Sequence, residues 1–145
     1  MKLNILEDKN QKEIEIDIRC PKIDDKINKL ANIINTYYFT IQGKKDDVFE
    51  VLQLDNIYYF ESVENKVFAY LPQDVYEVNF KINELASMLE STSFIQVAKP
   101  IVLNINKIKK IKPLVNGRML AILDNEEKVV ITRVYAQAFK KKLNV

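Results

Sequence analysis

From residue 48 to residue 132 the chain is a succession of short apolar and β-branched runs, and polar turn residues separate each run from the next. Such short runs, bounded by turn residues, are typical of β-strands. Helical spacing interrupts them only at residues 82–90, so the alternation of strand and helix that parallel βαβ units need is missing. The pattern predicts a mostly β fold with short helices and argues against a nucleotide-binding α/β fold. The predicted strands cover residues 48–52, 57–63, 67–71, 75–80, 94–98, 101–103, 108–115, 118–123 and 128–132.

Several local patterns place the turns and helices of this β region. Asn116-Gly117 is a strong signal for a two-residue hairpin, because both residues tolerate positive φ. Asn83 is a plausible N-cap for the helix at residues 82–90, and residues 133–143 have the pattern of a final helix.

The first part of the chain has a different pattern. Residues 12–19 (KEIEIDIR) alternate isoleucines with charges, which predicts a half-buried strand. Residues 23–36 carry apolar residues at helical spacing, with Asp24 or Asp25 near the start of the helix. Residues 43–47 (GKKDD) read as a polar turn, where we expect the boundary between a small strand–helix extension (1–43) and the main domain (44–145).

Charge is distributed unevenly along the chain. Residues 96–145 contain 11 Lys/Arg and 3 Asp/Glu, whereas residues 1–95 contain 11 Lys/Arg and 17 Asp/Glu. The basic part is threaded through strand-like sequence, so it is not a disordered tail. A folded module with a basic face is typical of proteins that bind a polyanion.

Composition narrows the possible functions. The chain has no histidine and one cysteine, so neither a zinc site nor a histidine-assisted nucleophile can be assembled. It has no glycine-rich phosphate loop, and we expect no catalytic activity, no cofactor and no metal. No apolar run reaches the roughly 18 residues of a membrane span, no signal-peptide core is visible, and the single cysteine suits a reducing compartment. These features predict a cytoplasmic protein.

Three segments, in this order and spacing, resemble one family. They are residues 55–67 (DNIYYFESVENKV), residues 94–108 (FIQVAKPIVLNINKI), and the Asn116-Gly117-Arg118 turn leading to residues 131–135 (ITRVY). Over roughly residues 44–143 the chain is similar to LytTR-type DNA-binding domains, the output modules of many bacterial response regulators. Residues 1–43 resemble the short extension of free-standing LytTR regulators, which lack a receiver domain.

The resemblance implies an elongated stack of short antiparallel sheets rather than a helix-turn-helix. It also implies that loops on one edge reach successive major grooves of duplex DNA, and that two copies bind directly repeated promoter motifs side by side. Carried over by position, the DNA-binding residues are Asn65 and Lys66 in the first hairpin loop, Lys99 before the next strand, and Arg133 at the start of the last helix. Lys81 matches a lesser contact to the DNA backbone.

Two residues depart from the family pattern. Pro100 stands where the family usually has Ser or Thr, which removes a hydroxyl and an N–H donor. Val134 stands where a second basic residue is common, so the third loop departs from the family's base-reading pattern.

Other residues have both a functional and a structural interpretation. Tyr58-Tyr59-Phe60 could stack on single-stranded RNA, but strand alternation should turn Tyr59 away from Tyr58 and Phe60, and core packing is favoured. Cys20 has no base to activate it, so a structural role is favoured. The carboxylates of Asp24-Asp25 and Asp46-Asp47 suit a helix start and a turn better than a metal site. Residues 140–142 (KKK) either bind phosphate or complement the end of the last helix.

The sequence therefore predicts a small bacterial transcriptional regulator without enzymatic activity, which binds promoter duplex DNA as a homodimer. The apolar stripe of residues 12–36 is the expected dimerisation or sensing surface. Three alternatives stay open: an adaptor whose basic edge docks an acidic protein, an RNA-binding β module, and, least favoured, a hydrolase or transferase.

Overall fold

A computed structural model describes all 145 residues of the chain. Residues 1–24 contain no helix or strand, and three helices and ten strands follow. The helices are α1 (Asp25–Tyr38), α2 (Ile82–Met88) and α3 (Arg133–Leu143). The strands are β1 (Thr40–Lys45), β2 (Val48–Gln53), β3 (Tyr59–Val63), β4 (Lys66–Tyr70), β5 (Val75–Val78), β6 (Phe94–Ala98), β7 (Ile101–Asn104), β8 (Ile108–Pro113), β9 (Met119–Leu123) and β10 (Lys128–Ile131).

The strands form two antiparallel sheets, which confirms the mostly β prediction. The large sheet has seven strands in the order β2-β1-β5-β4-β3-β7-β6, and the small sheet has three in the order β10-β9-β8. α2 and α3 are separated by five strands, and so are α1 and α2, so no two helices form a helix-turn-helix.

The central strands of the large sheet are covered on both faces. Successive side chains of a strand point to opposite faces, so Val102 packs into a core cluster with Phe60, Leu85 and Phe94, while Leu103 packs into a second cluster with Phe139. α2 contributes to the first cluster, and α3 and the small sheet contribute to the second. This double burial explains why β7 reads as a continuous apolar run.

α1 is attached to this body by buried polar groups. The Thr36 and Ser93 hydroxyls lie 2.8 Å apart, and the Ser93 hydroxyl donates to Asn104 Oδ1 (2.9 Å). The Asn104 amide in turn donates to the carbonyl of Ile57 (2.9 Å), and Thr36, Ser93 and Asn104 are almost fully buried. Buried polar groups with all partners present specify one arrangement, so the end of α1 is docked rather than loosely attached.

The strand expected at residues 12–19 is not formed. Ile14 and Ile16 are 75% and 59% exposed, and no strand of the chain lies beside the segment. A strand needs a hydrogen-bonded neighbour, and within this chain the segment has none, so its alternation alone does not order it. The helix that follows begins close to the expected place, with the Asp24 side chain accepting from the N–H of Ile27 (3.0 Å).

Two smaller expectations also need correction. Gly43, Lys44 and Lys45 belong to β1 rather than to a turn, so β1 crosses the expected boundary at residues 43–44 and the turn is only Asp46-Asp47, both with positive φ. The N-cap of α2 is Lys81 and not Asn83, because the Glu84 side chain accepts from the N–H of Lys81 (3.1 Å) and starts the helix earlier.

The hairpin predicted at Asn116-Gly117 is present, with φ of 62° and 74° at these residues. Its loop is longer than two residues. Pro113 pairs with Met119, and inside that pair the N–H of Leu114 donates to the carbonyl of Arg118 (2.9 Å). The longest helix of the protein has 14 residues, and none combines the length and the apolar character needed to cross a bilayer.

Candidate nucleic-acid interface

Two turns of the large sheet lie side by side. β3 runs antiparallel to both β4 and β7, so the β3–β4 turn and the β6–β7 turn emerge at the same end of the strands. Beyond the last paired residue the N–H of Ser62 donates to the carbonyl of Pro100 (2.9 Å), which joins the two turns directly. We call the end of the sheet where these turns meet the loop edge.

The first turn presents Asn65 and Lys66. Glu64 and Asn65 have φ of 51° and 66°, and Val63 pairs with Lys66 across them, so the turn is a tight two-residue connection. Asparagine tolerates this conformation better than most residues, which explains its place here. Both Asn65 and Lys66 are exposed.

The second turn presents Lys99 beside Pro100. The side-chain amide of Gln96 donates to the carbonyl of Lys99 (3.1 Å), and β6 carries an irregular register between Gln96 and Ala98. Both carbonyls of the turn are therefore used inside the protein, while the Lys99 side chain is exposed.

The start of α3 reaches the same edge. The N–H of Thr132 donates to the carbonyl of Val97 (2.9 Å), one residue before Ala98, so Arg133 begins the helix next to the β6–β7 turn. The Thr132 hydroxyl points to the same carbonyl (3.4 Å) and does not cap the helix. The first N–H groups of α3 are consequently free of side-chain partners, a common arrangement where helices bind anions.

Arg133 also contacts the β8–β9 loop. A Cβ atom on Gly117 would lie 3.1 Å from Cγ of Arg133, so the arginine side chain covers the bare backbone of this glycine. Gly117 therefore positions Arg133, and it brings the exposed Arg118 to the loop edge as well.

Lys81 lies at the other end of the edge. β4 pairs with β5 so that Val67 faces Val78, and the chain leaves β5 at the end where Lys66 begins β4. Lys81 follows three residues later at the N-terminus of α2 and is exposed. The structure thus brings all five sequence-predicted residues to one edge.

The size of this edge is set by strand spacing. From β5 to β6 the sheet order is β5-β4-β3-β7-β6, which at about 4.8 Å per interval spans about 19 Å. Arg133 and Arg118 extend it further. The array is comparable in length to a large part of one turn of duplex DNA, which is about 34 Å.

Charge is segregated between the two ends of the strands. The loop edge carries exposed Lys66, Lys81, Lys99, Arg118 and Arg133 and two exposed carboxylates, Glu64 in the β3–β4 turn and Glu84 in the first turn of α2. The opposite end, called here the acidic edge, carries the β1–β2, β4–β5 and β9–β10 turns with Asp46, Asp47, Asp74, Asp124, Glu126 and Glu127. Two lysines of the acidic edge form ion pairs there: Lys45 bonds Asp74 (2.5 Å) and Lys109 bonds Glu126 (2.8 Å).

These local pairs shift the ionisation of their members. The hydrogen bond from Lys109 lowers the pKa of the Glu126 carboxyl, and the hydrogen bond to Asp74 raises the pKa of the Lys45 ammonium. Within each pair the opposite charges neutralise each other locally. The basic residues of the loop edge have no such ion pairs.

The aromatic run of β3 is packed rather than available for stacking on bases. Phe60 is fully buried and Tyr58 is 7% exposed, and Tyr59 stacks on Tyr70 with ring centroids 4.5 Å apart. Tyr58 and Phe60 enter different core clusters, contrary to simple alternation, because Tyr58 precedes the strand.

The remaining candidate residues have structural partners. Lys142 donates to the carbonyl of Glu90 (3.0 Å), and burial lowers the pKa of its ammonium. Asp24 caps α1, Asp46 and Asp47 form a turn, and Cys20 is half-buried. No three His, Cys, Asp or Glu side chains converge in an arrangement that could hold a metal ion.

Sequence reasoning did not select Arg118 or Gly117 as part of the site, although both belong to the Asn116-Gly117-Arg118 turn. The available signal was the turn itself: a glycine at positive φ leaves room for a neighbouring side chain, and here that side chain is Arg133.

Comparison with known proteins points to one family of DNA-binding domains. The model of the LytTr DNA-binding domain family matches residues 47–144. The sensory transduction protein LytT of Enterococcus faecalis is 31% identical over 72% of this chain, which spans 43% of the enterococcal protein. A Staphylococcus aureus protein named as an uncharacterised HTH-type transcriptional regulator is 24% identical over 100% of this chain and 99% of its own length.

A solved structure supports the same fold. The LytTr DNA-binding domain of a response regulator from Bacillus cereus superposes with a TM-score of 0.69 at 24% identity, and the match covers 73% of this chain and 97% of that one.

Proposed function

Since this chain belongs to the LytTr DNA-binding domain family, and is thereby a DNA-binding transcriptional regulator, we propose that its loop edge reads promoter duplex DNA in successive major grooves. The major groove shows a distinct pattern of donors and acceptors for each base pair, which side chains on projecting loops can reach.

The observation that carries this proposal is the shared edge. Three separate loops and two helix N-termini present five unpaired basic side chains along one side of the molecule, and carboxylates gather on the other side. A straight duplex can contact all of these basic groups at once.

Individual roles follow from position. Asn65, Lys66, Lys99 and Arg133 are proposed to contact base edges, since turns and a helix start project them away from the sheet. Lys81 is proposed to neutralise a phosphate. The Pro100 carbonyl is used by Ser62 and its nitrogen carries no hydrogen, so we assign no phosphate contact to Pro100.

Val134 gives the third loop a different character. It is 85% exposed beside Arg133 and can offer only an apolar contact, such as the one that aliphatic groups make with the methyl group of thymine. We therefore propose that Arg133 alone makes the polar base contact of this loop.

Assembly and location complete the proposal. The protein acts in the cytoplasm as a homodimer on directly repeated promoter motifs, and residues 1–43 supply the dimerisation or sensing unit. The half-exposed apolar stripe of α1, which includes Ile27, Leu30 and Ile34, supports this role because the body of the same chain covers it incompletely.

The decisive experiment selects duplexes from a random pool and then measures affinity for the selected site at several salt concentrations. We expect a defined repeated motif and a linear fall of log affinity with log salt, with a slope near −0.9 for each neutralised phosphate. A shallow slope without a selected motif would contradict the proposal and favour an adaptor that docks an acidic protein.

Competition between single-stranded RNA and duplex DNA tests the alternative that the protein is an RNA-binding module. Single-stranded RNA should compete poorly with the selected duplex, because the aromatic side chains of β3 and β4 are packed against one another. Equal competition by RNA and duplex DNA would favour an RNA-binding module instead.

A further inference from the structure

The two sheets have four edge strands, and three of them are protected. β6 is covered by α3, and the chain that leaves β10 bonds to β6 through Thr132 and Val97. β8 exposes Lys109, Lys110 and Lys112, and lysines on an edge strand oppose pairing with another chain.

β2 is the unprotected edge. Phe49 and Val51 lie on one face of this strand and are 63% and 69% exposed, and Val48 at its start is 57% exposed. The strand carries one charged residue, Glu50, and that carboxylate accepts a hydrogen bond from the Tyr76 hydroxyl (2.8 Å). An exposed apolar edge strand of this kind is a template for an added strand.

The free backbone groups of β2 can be identified from its ladder. The N–H of Leu54 donates to the carbonyl of Phe39, and bonded pairs alternate along an antiparallel ladder. Residues 48, 50 and 52 therefore bond to β1. The N–H and C=O groups of Phe49 and Val51 point outward, away from β1, at the open edge of the sheet.

The chain also contains a strand-like segment without a neighbour. Residues 12–19 alternate isoleucine with charge, and Ile14, Ile16 and Ile18 are exposed. The segment is long enough to cover all six residues of β2. Its isoleucines can continue the apolar face of Phe49 and Val51.

We propose that residues 12–19 of one copy add as a strand to β2 of a second copy, and that the exchange is reciprocal. A second copy is favoured because, within one chain, the segment stays exposed although its own β2 is free. α1 lies between the two in the chain, and its 14 residues carry the segment about 21 Å along the helix axis from Phe39, whose carbonyl accepts from the N–H of Leu54 at the end of β2. Reciprocal exchange closes a two-fold dimer and removes both bare edges.

This inference rests on the proposed function only in expecting a homodimer, because β2 does not contribute to the loop edge. The first experiment measures the mass of the full chain in solution by light scattering without DNA. The unchanged protein should have twice the mass of one chain, and a single-chain mass would overturn the proposal.

Val51→Pro tests the edge strand. The substitution removes an outward N–H and leaves the β1 ladder intact, so it should yield a folded single-chain species. Val51→Thr keeps the N–H and the β-branched shape and should remain dimeric. If Val51→Pro stays dimeric, β2 is not the contact.

Ile16→Pro tests the same contact from the other side and leaves β2 unchanged. Residue 16 lies outside the folded body, so this substitution should not disturb folding. It should also give a single-chain mass, and Ile16→Val should not. A dimeric Ile16→Pro variant would exclude the segment.

Cross-linking identifies whose β2 is used. In a Cys20→Ser background, chains with Ile16→Cys are mixed with chains with Val51→Cys and treated with a short bifunctional maleimide. Cross-linked mixed pairs support exchange between copies. A further variant carries both Ile16→Cys and Val51→Cys in one chain. If this variant cross-links internally and the mixed chains do not cross-link, the segment pairs with its own chain.

Measurements of DNA binding distinguish the failure of the strand exchange from the failure of DNA recognition by the loop edge. Val51→Pro should bind a single motif like the unchanged protein but lose on the order of 100-fold on the paired repeat, because the tethered second contact is gone. A dimer that binds no duplex would contradict the proposed function and leave the exchange intact.

Discussion

Arg133 owes its position to a residue that has no side chain. Gly117 leaves the space that the arginine stem occupies, and the bond from the N–H of Thr132 to the carbonyl of Val97 holds the start of the helix. The guanidinium is therefore aimed by packing of its stem and by the backbone, which leaves its donors free for a partner outside the protein.

Removal of this guanidinium should affect affinity and selectivity together. We expect Arg133→Ala to cost roughly 1–3 kcal/mol of binding free energy and to relax the preference at one position of the site. Titration of the selected duplex and its single-base variants measures both effects. Lys128→Ala, at the start of β10 on the acidic edge, serves as the control and should change neither.

Gly117→Ala should displace the arginine without removing it. The new Cβ would meet Arg133 Cγ at 3.1 Å, and the residue has φ of 74°, which costs a side chain about 1–2 kcal/mol. Urea unfolding should show this loss of stability, accompanied by weaker binding to the selected duplex. Asn116→Gly, at φ of 62°, should be tolerated, and an unaffected Gly117→Ala would contradict the positioning role.

Individual residues also show where sequence reasoning stops. Asn104 belongs to a segment that carried the family resemblance, yet it is fully buried and bonds Ile57, Ser93 and Asn106. Its role is structural. Nothing in the local sequence shows that this polar residue will be enclosed, because Ile57 and Ser93 come from separate segments of the chain.

At the scale of elements, the short β-strands were predictable because each one buries apolar side chains between turn residues. The predictions for β6 and α3 have the same bounds as the structure, and those for the other strands from β2 onward differ by a few residues at their ends. The strand predicted at residues 12–19 is not formed. Alternation of apolar and charged residues describes a face that can be buried, but it does not supply the neighbouring strand.

A tyrosine–carboxylate contact links the two sheets. Tyr58, directly before β3, donates its hydroxyl hydrogen to Asp124 in the β9–β10 turn, and this bond raises the pKa of the phenol to about 12. The Lys107 ammonium lies 5.2 Å from the centroid of the same ring. The contact ties the small sheet to the large one at the acidic edge.

This contact predicts a dependence of stability on alkaline pH. Because the phenol pKa is higher in the folded protein than its ordinary value of 10.0, the contribution is complete below pH 10 and is lost as pH rises towards 12. Tyr58→Phe should lower the free energy of unfolding by about 1 kcal/mol at pH 8, since solvent near Asp124 weakens the bond. The difference from the unchanged protein should vanish at high pH, and a constant difference would contradict the assignment.

Over the whole molecule, the distribution of charge could be predicted only in part. The sequence separates a basic half from an acidic half, but the fold sorts the charges differently. Lys66 and Lys81 come from the acidic half and join the loop edge, while Asp124, Glu126 and Glu127 come from the basic half and face the other way. Strand direction causes this sorting, because it sends alternate turns to opposite ends, and composition alone cannot show it.

Lys81 tests whether the entire loop edge contacts DNA. If the lysine neutralises a phosphate, Lys81→Ala should weaken binding to all sequences about equally and make the salt slope shallower by about 1. Lys109→Ala at the acidic edge is the matched control and should leave the slope unchanged. A change in base preference for Lys81→Ala would mean that Lys81 reads sequence instead.

The carboxylates of the acidic edge have a consequence for the approach to DNA. Positive and negative ends separated along the strands give the protein a permanent dipole, which turns it during diffusion so that the positive end arrives first. Productive encounters then form a larger share of collisions, and backward encounters are repelled. Neutralising Asp124, Glu126 and Glu127 should therefore remove the repulsion of backward encounters, so that a smaller share of collisions is productive at low ionic strength while the lifetime of the finished complex stays the same.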